Sequence, residues 1–169
     1  MKTYSEVRQN VTDIPTGFIV HGVNCQGAMG SGIAGAIAGK WPSVRDAYMD
    51  FINQKKASAP FQSSSLLGTV QRVAVRPNLI VVNAFTQDFF GADGKRYASP
   101  EAISKALNNI FGYVEDRVQN DEMFDPTRFH VYMPQIGCGL GGLSWDTDVE
   151  PVVTAAHRGK SFPLTIITL

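Results

Sequence analysis

The stretch Gly17-Phe-Ile-Val-His-Gly-Val-Asn-Cys-Gln-Gly-Ala-Met-Gly-Ser-Gly-Ile33 decides the fold. Its first eight residues form a short apolar run with β-branched side chains, bounded by Thr16-Gly17 before and by glycines after, which predicts a buried strand. The glycines predict a tight turn. Beyond it Ile33, Ile37 and Trp41 recur at i, i+4, i+8, a helical stripe that stops before Pro42. Gly35 and Gly39 each cost such a helix about 1 kcal/mol relative to Ala, so a backbone crowded against a neighbour is the expected reason for both. Strand, glycine turn and helix in that order are the unit of an α/β domain.

Working outward, Val44, Ala47, Tyr48, Phe51 and Ile52 repeat at i, i+3, i+4, i+7, i+8 and predict a second helix to about Gln54, followed by a polar loop over 55–65. Gly68–Val75 and Asn78–Phe85 are β-rich and joined by only Arg76-Pro77, so they form a hairpin or successive strands, and a loop over Thr86–Ala98 follows. Ser99-Pro100-Glu101 supplies a cap, a proline at the first helical position and an acidic first turn for a helix whose buried face is Ile103, Leu107, Ile110, Val114 and Val118. A strand at His130–Met133, a second glycine loop at Gln135–Leu143, a helix at Asp146–His157 with Pro151 early in it, and a strand at Pro163–Leu169 complete an α/β order without internal repeats. At 169 residues this is one domain, 1–169, large enough to fold without disulfides.

Fifteen Lys and Arg balance fifteen Asp and Glu, so the chain has no bulk electrostatic footprint for nucleic acid or an anionic membrane, and an anionic ligand must be held locally. No run approaches the roughly 18 apolar residues of a membrane span. The first residues lack the apolar core of a signal peptide, and the only cysteines, Cys25 and Cys138, are far apart and unlike a disulfide framework. The expected compartment is a reducing, cytoplasmic one, with both thiols free. Spacing for metal ligands is absent, so neither a metal nor a cofactor is expected.

Both glycine loops lie between a strand and a helix N-terminus, where unpaired backbone N–H groups and the positive end of a helix dipole suit phosphate. No Lys, Arg, Asp or Glu occurs between Ile14 and Gly39 or between Met133 and Trp145, so neutralisation would fall to amides, and a pyrophosphate clamped from both sides is the natural ligand. Tight corner-making is the alternative use of such glycines. No Gly-Lys-Ser/Thr directly follows the glycines of either loop, and the spacing of Gly27, Gly30 and Gly32 is not that of a dinucleotide-binding fingerprint. His21 and Asn24 are three residues apart in the strand and face opposite sides unless the chain bends there. His21 is either a satisfied core residue or a functional one, whereas His130 and His157 read as structural or exposed.

The segments Phe18–Ala34, Leu79–Thr86 and Tyr132–Trp145, in this order and spacing, resemble the macrodomains, the ADP-ribose-binding fold, and within them the branch of yeast-type ADP-ribose-1″-phosphate phosphatases and terminal ADP-ribose-protein glycohydrolases. The resemblance implies a three-layer α/β/α domain with a central mixed sheet that takes ADP-ribose or ADP-ribose-1″-phosphate; a monomer is expected. It implies that Asn10-Val11 takes the place of an adenine-recognising Asp-Ile pair, that Leu169 lies near the adenine, and that Gly30, Ser31, Gly32, Ile33 and Ala34 hold phosphate together with Gly137, Cys138, Gly139, Leu140 and Gly141. Cys25 and Cys138 would act through their backbone N–H groups. Asn24 would orient the distal ribose or an attacking water, and His21 would be nucleophile or general acid/base, titrating near pH 6–7. The Lys and Asp of the glycohydrolases are replaced by Thr86-Gln87 and Gly141. The expected reaction is therefore metal-independent removal of the terminal phosphate, with hydrolysis of ester-linked ADP-ribose or simple ADP-ribose recognition as alternatives.

Overall fold

The computed structural model describes residues 2–58, 60–121 and 125–169. Its central strand is β2 (Gly17–Asn24), buried along nearly its whole length because it has a helical layer on each face. The odd residues Ile19 and Val23 join one core and the even residues Phe18 and Val20 the other. With β1 (Ser5–Arg8), β3 (Val70–Arg76), β4 (Leu79–Gln87), β5 (Val131–Pro134) and β6 (Leu164–Thr168) it forms a six-stranded sheet in the order β1-β6-β5-β2-β4-β3. Only β3 runs antiparallel, paired to β4, so the two β-rich runs are a hairpin and the sheet is mixed.

Helices α1 (Gly32–Lys40) and α2 (Pro42–Lys56) cover one face, and α3 (Pro100–Gln119) and α5 (Glu150–His157) the other, with the short α4 (Pro126–Phe129) leading into β5. This is the three-layer arrangement expected. The Ser99 hydroxyl caps α3 by accepting the Ala102 N–H, and Ile103, Leu107, Ile110, Val114 and Val118 are its buried stripe. Pro42 opens α2 instead of merely ending α1. The crowding expected at Gly35 is present, since a Cβ there would meet the Gly30 carbonyl carbon at 2.9 Å; Gly39 faces open space and has no such reason.

The predicted helix from Asp146 begins as a π-helical turn, Trp145–Val149, before α5. Pro151 lacks the N–H that an α-helical ladder needs there, and the wider turn accommodates the missing bond. β1 has no signal in the sequence, because all four of its residues are exposed and carry no alternation; its parallel pairing to β6 makes it a strand. Ala59, inside the expected polar stretch, lies outside the described residues. Among the described residues no helix is long and apolar enough to cross a membrane.

Candidate functional site

From β2 the chain leaves through α1 and α2 toward β3 on one face, and from β5 through α5 toward β6 on the other. Neighbouring parallel strands whose connections depart in opposite directions open a crevice at their carboxyl ends. Both glycine loops stand at that crevice, one strand spacing, about 4.8 Å, apart at their roots. The same edge carries Asn10 and Val11 after β1 and Leu169 after β6. All the ligand-holding residues expected from sequence are therefore brought to one edge, in the order Asn10-Val11, Leu169, second loop, first loop.

The backbone N–H groups of the two loops divide into those with a partner and those open to a ligand. Gly30, Ser31, Gly32, Ile33 and Ala34 have no N–H partner among the described residues, since the first bond of this turn is Gly35 N–H to the Ser31 carbonyl and Ser31 makes no side-chain cap. In the second loop Gly139, Leu140 and Gly141 are likewise open, but the Cys138 N–H donates to the Gln135 carbonyl at 3.1 Å. The Cys25 N–H donates to the Asp88 carbonyl at 3.1 Å. The expectation that both cysteines act through their amides is therefore corrected: each amide is already spent on holding its loop. Burial pushes the thiols up, to about 12 for Cys25 and about 11 for Cys138, so neither is a thiolate at neutral pH.

The β2–β4 register slips after Val23, with Thr86 the extra residue in β4, and the Asn24 side chain reaches Tyr48 in α2, the helical layer on the same side of the sheet as His21. There Asn24 builds the first loop. Its Oδ1 accepts from the Gln26 N–H at 2.9 Å and the Ala28 N–H at 3.3 Å, its Nδ2 donates to the Ala28 carbonyl at 2.7 Å, and the Tyr48 hydroxyl lies 2.9 Å from Oδ1. Tyr48, which sequence reading assigned only to a helical stripe, also accepts the Gly27 N–H at 3.1 Å. One N–H of Asn24 Nδ2 is what remains for a ligand.

His21 is 1% exposed. Its Nε2 lies 2.6 Å from Asn83 Oδ1, Asn83 Nδ2 donates to Gln71 Oε1 at 3.1 Å, and Gln71 Nε2 donates to the Ala47 carbonyl in α2 at 2.8 Å. A carbonyl only accepts, so reading back from Ala47 fixes both amides and puts the imidazole proton on Nε2. Nδ1 is then a buried acceptor with no partner among the described residues. Burial lowers the pKa to about 4 from the ordinary 6.5, away from the window near neutrality that the sequence suggested, and the bond to Asn83 offsets this only in part. Since the unfolded chain protonates near 6.5 and the folded one near 4, His21 draws stability down as pH falls between those values, by on the order of 3 kcal/mol in total. Denaturant unfolding from pH 7 to pH 4 is expected to show this slope in the wild type and a shallower one in His21→Gln.

The model of the Macro domain family matches residues 20–152, which span both glycine loops and the strands between them. The chain belongs to the macrodomain family. This macrodomain is 25% identical over 160 residues to a Saccharomyces cerevisiae protein named ADP-ribose 1″-phosphate phosphatase, covering 85% of this chain and 86% of that one. Among solved structures it is similar to a macrodomain protein from Streptomyces coelicolor, with TM-score 0.72, 27% identity and coverage of 98% and 99%. A Bacteroides thetaiotaomicron protein described as of unknown function gives TM-score 0.76 at 25% identity, with 98% of each chain covered.

At the floor of the macrodomain's crevice, Gly22 faces the Thr86 hydroxyl, and a Cβ on Gly22 would sit 2.6 Å from Thr86 Oγ1 and 3.1 Å from Ile136 Cγ1. The Thr86 hydroxyl is buried and has no partner among the described residues. Gly22→Ala is expected to cost about 1–3 kcal/mol of stability by overpacking, and Thr86→Ala in the same chain to recover most of that loss, read from a double-mutant cycle of unfolding free energies.

The loop after β4 ties the two nests together. Asp88 accepts from Gln26 Nε2 at 2.8 Å beside the first loop, while the Tyr97 and Ala98 N–H groups donate to the Gly141 carbonyl of the second at 2.9 and 3.0 Å. Among the described residues, no three His, Cys, Asp or Glu side chains converge to hold a metal ion.

Proposed function

We propose that this macrodomain binds ADP-ribose with its pyrophosphate between the two glycine loops and removes the terminal phosphate of ADP-ribose-1″-phosphate. The observation that carries the binding is the pair of open amide nests, Gly30–Ala34 and Gly139–Gly141, side by side at one crevice and without a charged side chain in either. The adenine is assigned to the Asn10-Val11 and Leu169 end, which leaves the distal ribose toward β4. The name of the yeast relative supports the reaction. In it a water oxygen bonds to phosphorus, the bond from phosphorus to the ribose oxygen breaks, and ADP-ribose and inorganic phosphate are released.

In this reading Asn24 shapes the first loop and offers its remaining N–H to the distal ribose. His21, buried and neutral, supports the strand end from below as a positioning residue, and transition-state charge is stabilised by the amides. A second reading, hydrolysis of a larger ADP-ribosyl conjugate, is favoured by the exposed Phe89 and Phe90 at the distal end. Incubation with ADP-ribose-1″-phosphate in chelator, following free phosphate, tests the reaction: sustained release of phosphate with formation of ADP-ribose supports it. Cleavage of an ADP-ribosyl ester without phosphate release favours the second reading, and binding without either reaction leaves a reader of ADP-ribose.

A further inference from the structure

Among the described residues five large apolar side chains are exposed: Val7, Phe89, Phe90, Leu140 and Leu169, at 37%, 60%, 55%, 52% and 78%. Four of them follow the carboxyl ends of parallel strands, Phe89 and Phe90 after β4, Leu140 in the loop after β5 and Leu169 after β6, and Val7 is the last residue but one of β1. The strand order fixes their sequence along that edge. Val7 and Leu169 stand at the β1 and β6 end, the two amide nests with Leu140 in the middle, and Phe89 and Phe90 at the β4 end, about 14 Å from β6 by three strand spacings.

The two phenylalanines are not side chains of a slack loop. Asp88, immediately before them, is held by Gln26 Nε2, by the Ser63 hydroxyl at 2.6 Å and through its carbonyl by Cys25. Gln87 Nε2 donates to the Phe89 carbonyl at 3.0 Å, and the loop closes on itself through the Tyr97 hydroxyl to Asp93 Oδ1 at 2.8 Å. The backbone is anchored on both sides of two consecutive aromatic rings that join neither hydrophobic core. A braced loop that leaves two rings in water is arranged for contact.

We infer that the site takes ADP-ribosyl conjugates whose distal ribose carries a planar, apolar group, which packs on Phe89 and Phe90. This rests on the proposed binding of ADP-ribose and extends it to the substrate's far end. The pattern of apolar, anion nest, anion nest, apolar is complementary to a ligand with a ring at each end and a pyrophosphate between. ADP-ribose-1″-phosphate fits the same clamp but leaves the rings unused, since a phosphate dianion gains nothing from an aromatic face.

The test is calorimetry with two probes, ADP-ribose and its 4-nitrophenyl glycoside as both anomers, on the wild type, on the double variant Phe89→Ala/Phe90→Ala and on Phe89→Tyr/Phe90→Tyr. The wild type is expected to bind the better anomer at least tenfold more tightly than ADP-ribose. The alanine pair is expected to abolish that difference while changing the affinity for ADP-ribose less than twofold, and the tyrosine pair to keep it. Equal affinity of the wild type for both probes, or a preference that survives in the alanine pair, overturns the inference and leaves ADP-ribose binding intact. Absence of ADP-ribose binding in the wild type overturns both. Concentration-dependent dimerisation of the wild type that the alanine pair abolishes, with no preference for the glycoside, would assign the rings to a second copy of the chain and likewise overturn it.

Discussion

Gly139→Glu is expected to abolish ADP-ribose binding while leaving the domain folded. Gly139 is exposed, a Cβ there meets nothing within 4 Å, and its φ lies outside the left-handed region, so a side chain is accepted without strain. The carboxylate would stand beside the open amides of Gly139–Gly141, occupying them and repelling a pyrophosphate. From an expected affinity in the micromolar range, about −8 kcal/mol, the loss is expected to exceed a hundredfold, roughly 2.7 kcal/mol. Gly32→Glu acts on the first nest in the same direction, but at φ +59° a side chain adds a backbone cost of about 1–2 kcal/mol. Calorimetry should therefore find both variants unable to bind, and thermal unfolding should find only Gly32→Glu destabilised. Wild-type affinity in both would refute a ligand held from two sides.

Asn24→Ala carries the second large effect, through the loop. It removes the acceptor shared by the Gln26 and Ala28 N–H groups, together with the donor to the Ala28 carbonyl, while the Tyr48 hydroxyl keeps the Asn24 backbone carbonyl at 2.7 Å. The expected cost is about 2–3 kcal/mol of stability and at least a hundredfold in ADP-ribose affinity. Asn24→Asp keeps the oxygen that accepts from Gln26 and Ala28 but sets a second acceptor against the Ala28 carbonyl where Nδ2 donated at 2.7 Å, so only part of the stability returns, and the carboxylate beneath a loop that must receive phosphate keeps binding lost. Denaturant unfolding paired with calorimetry separates the two contributions. Unchanged stability in Asn24→Ala with binding lost would instead mean that the side chain works by touching the ligand.

Local signals carried much of this architecture. The cap Ser99-Pro100 and the stripe from Ile103 to Val118 specify α3 without help from tertiary structure, and the apolar run before Asn24 specifies β2 because a doubly covered strand has no polar face. β1 had no such signal, being an exposed edge strand that exists through its register with β6. The positions of both nests were legible in their glycines and in the lack of charge, but which amides are open was not. That depends on turn bonds such as Cys138 N–H to Gln135, which no spacing rule announces. The chain from His21 through Asn83 and Gln71 to Ala47 was equally hidden, since it joins four elements that are neighbours only in the folded sheet. Phe89 and Phe90 carried a visible signal, two adjacent aromatic residues inside a loop, whose meaning emerged only when the strand order placed them at the end of the crevice.

A ligand that engages both glycine loops at once has a distinct signature in amide NMR during titration with ADP-ribose. The N–H resonances of Gly30–Ala34 and of Gly139–Gly141 are predicted to shift together and to saturate along the same curve, while those of Cys25 and Cys138, already bonded within their loops, move least among their neighbours. Shifts confined to one loop, or two loops saturating at different concentrations, would contradict a shared pyrophosphate.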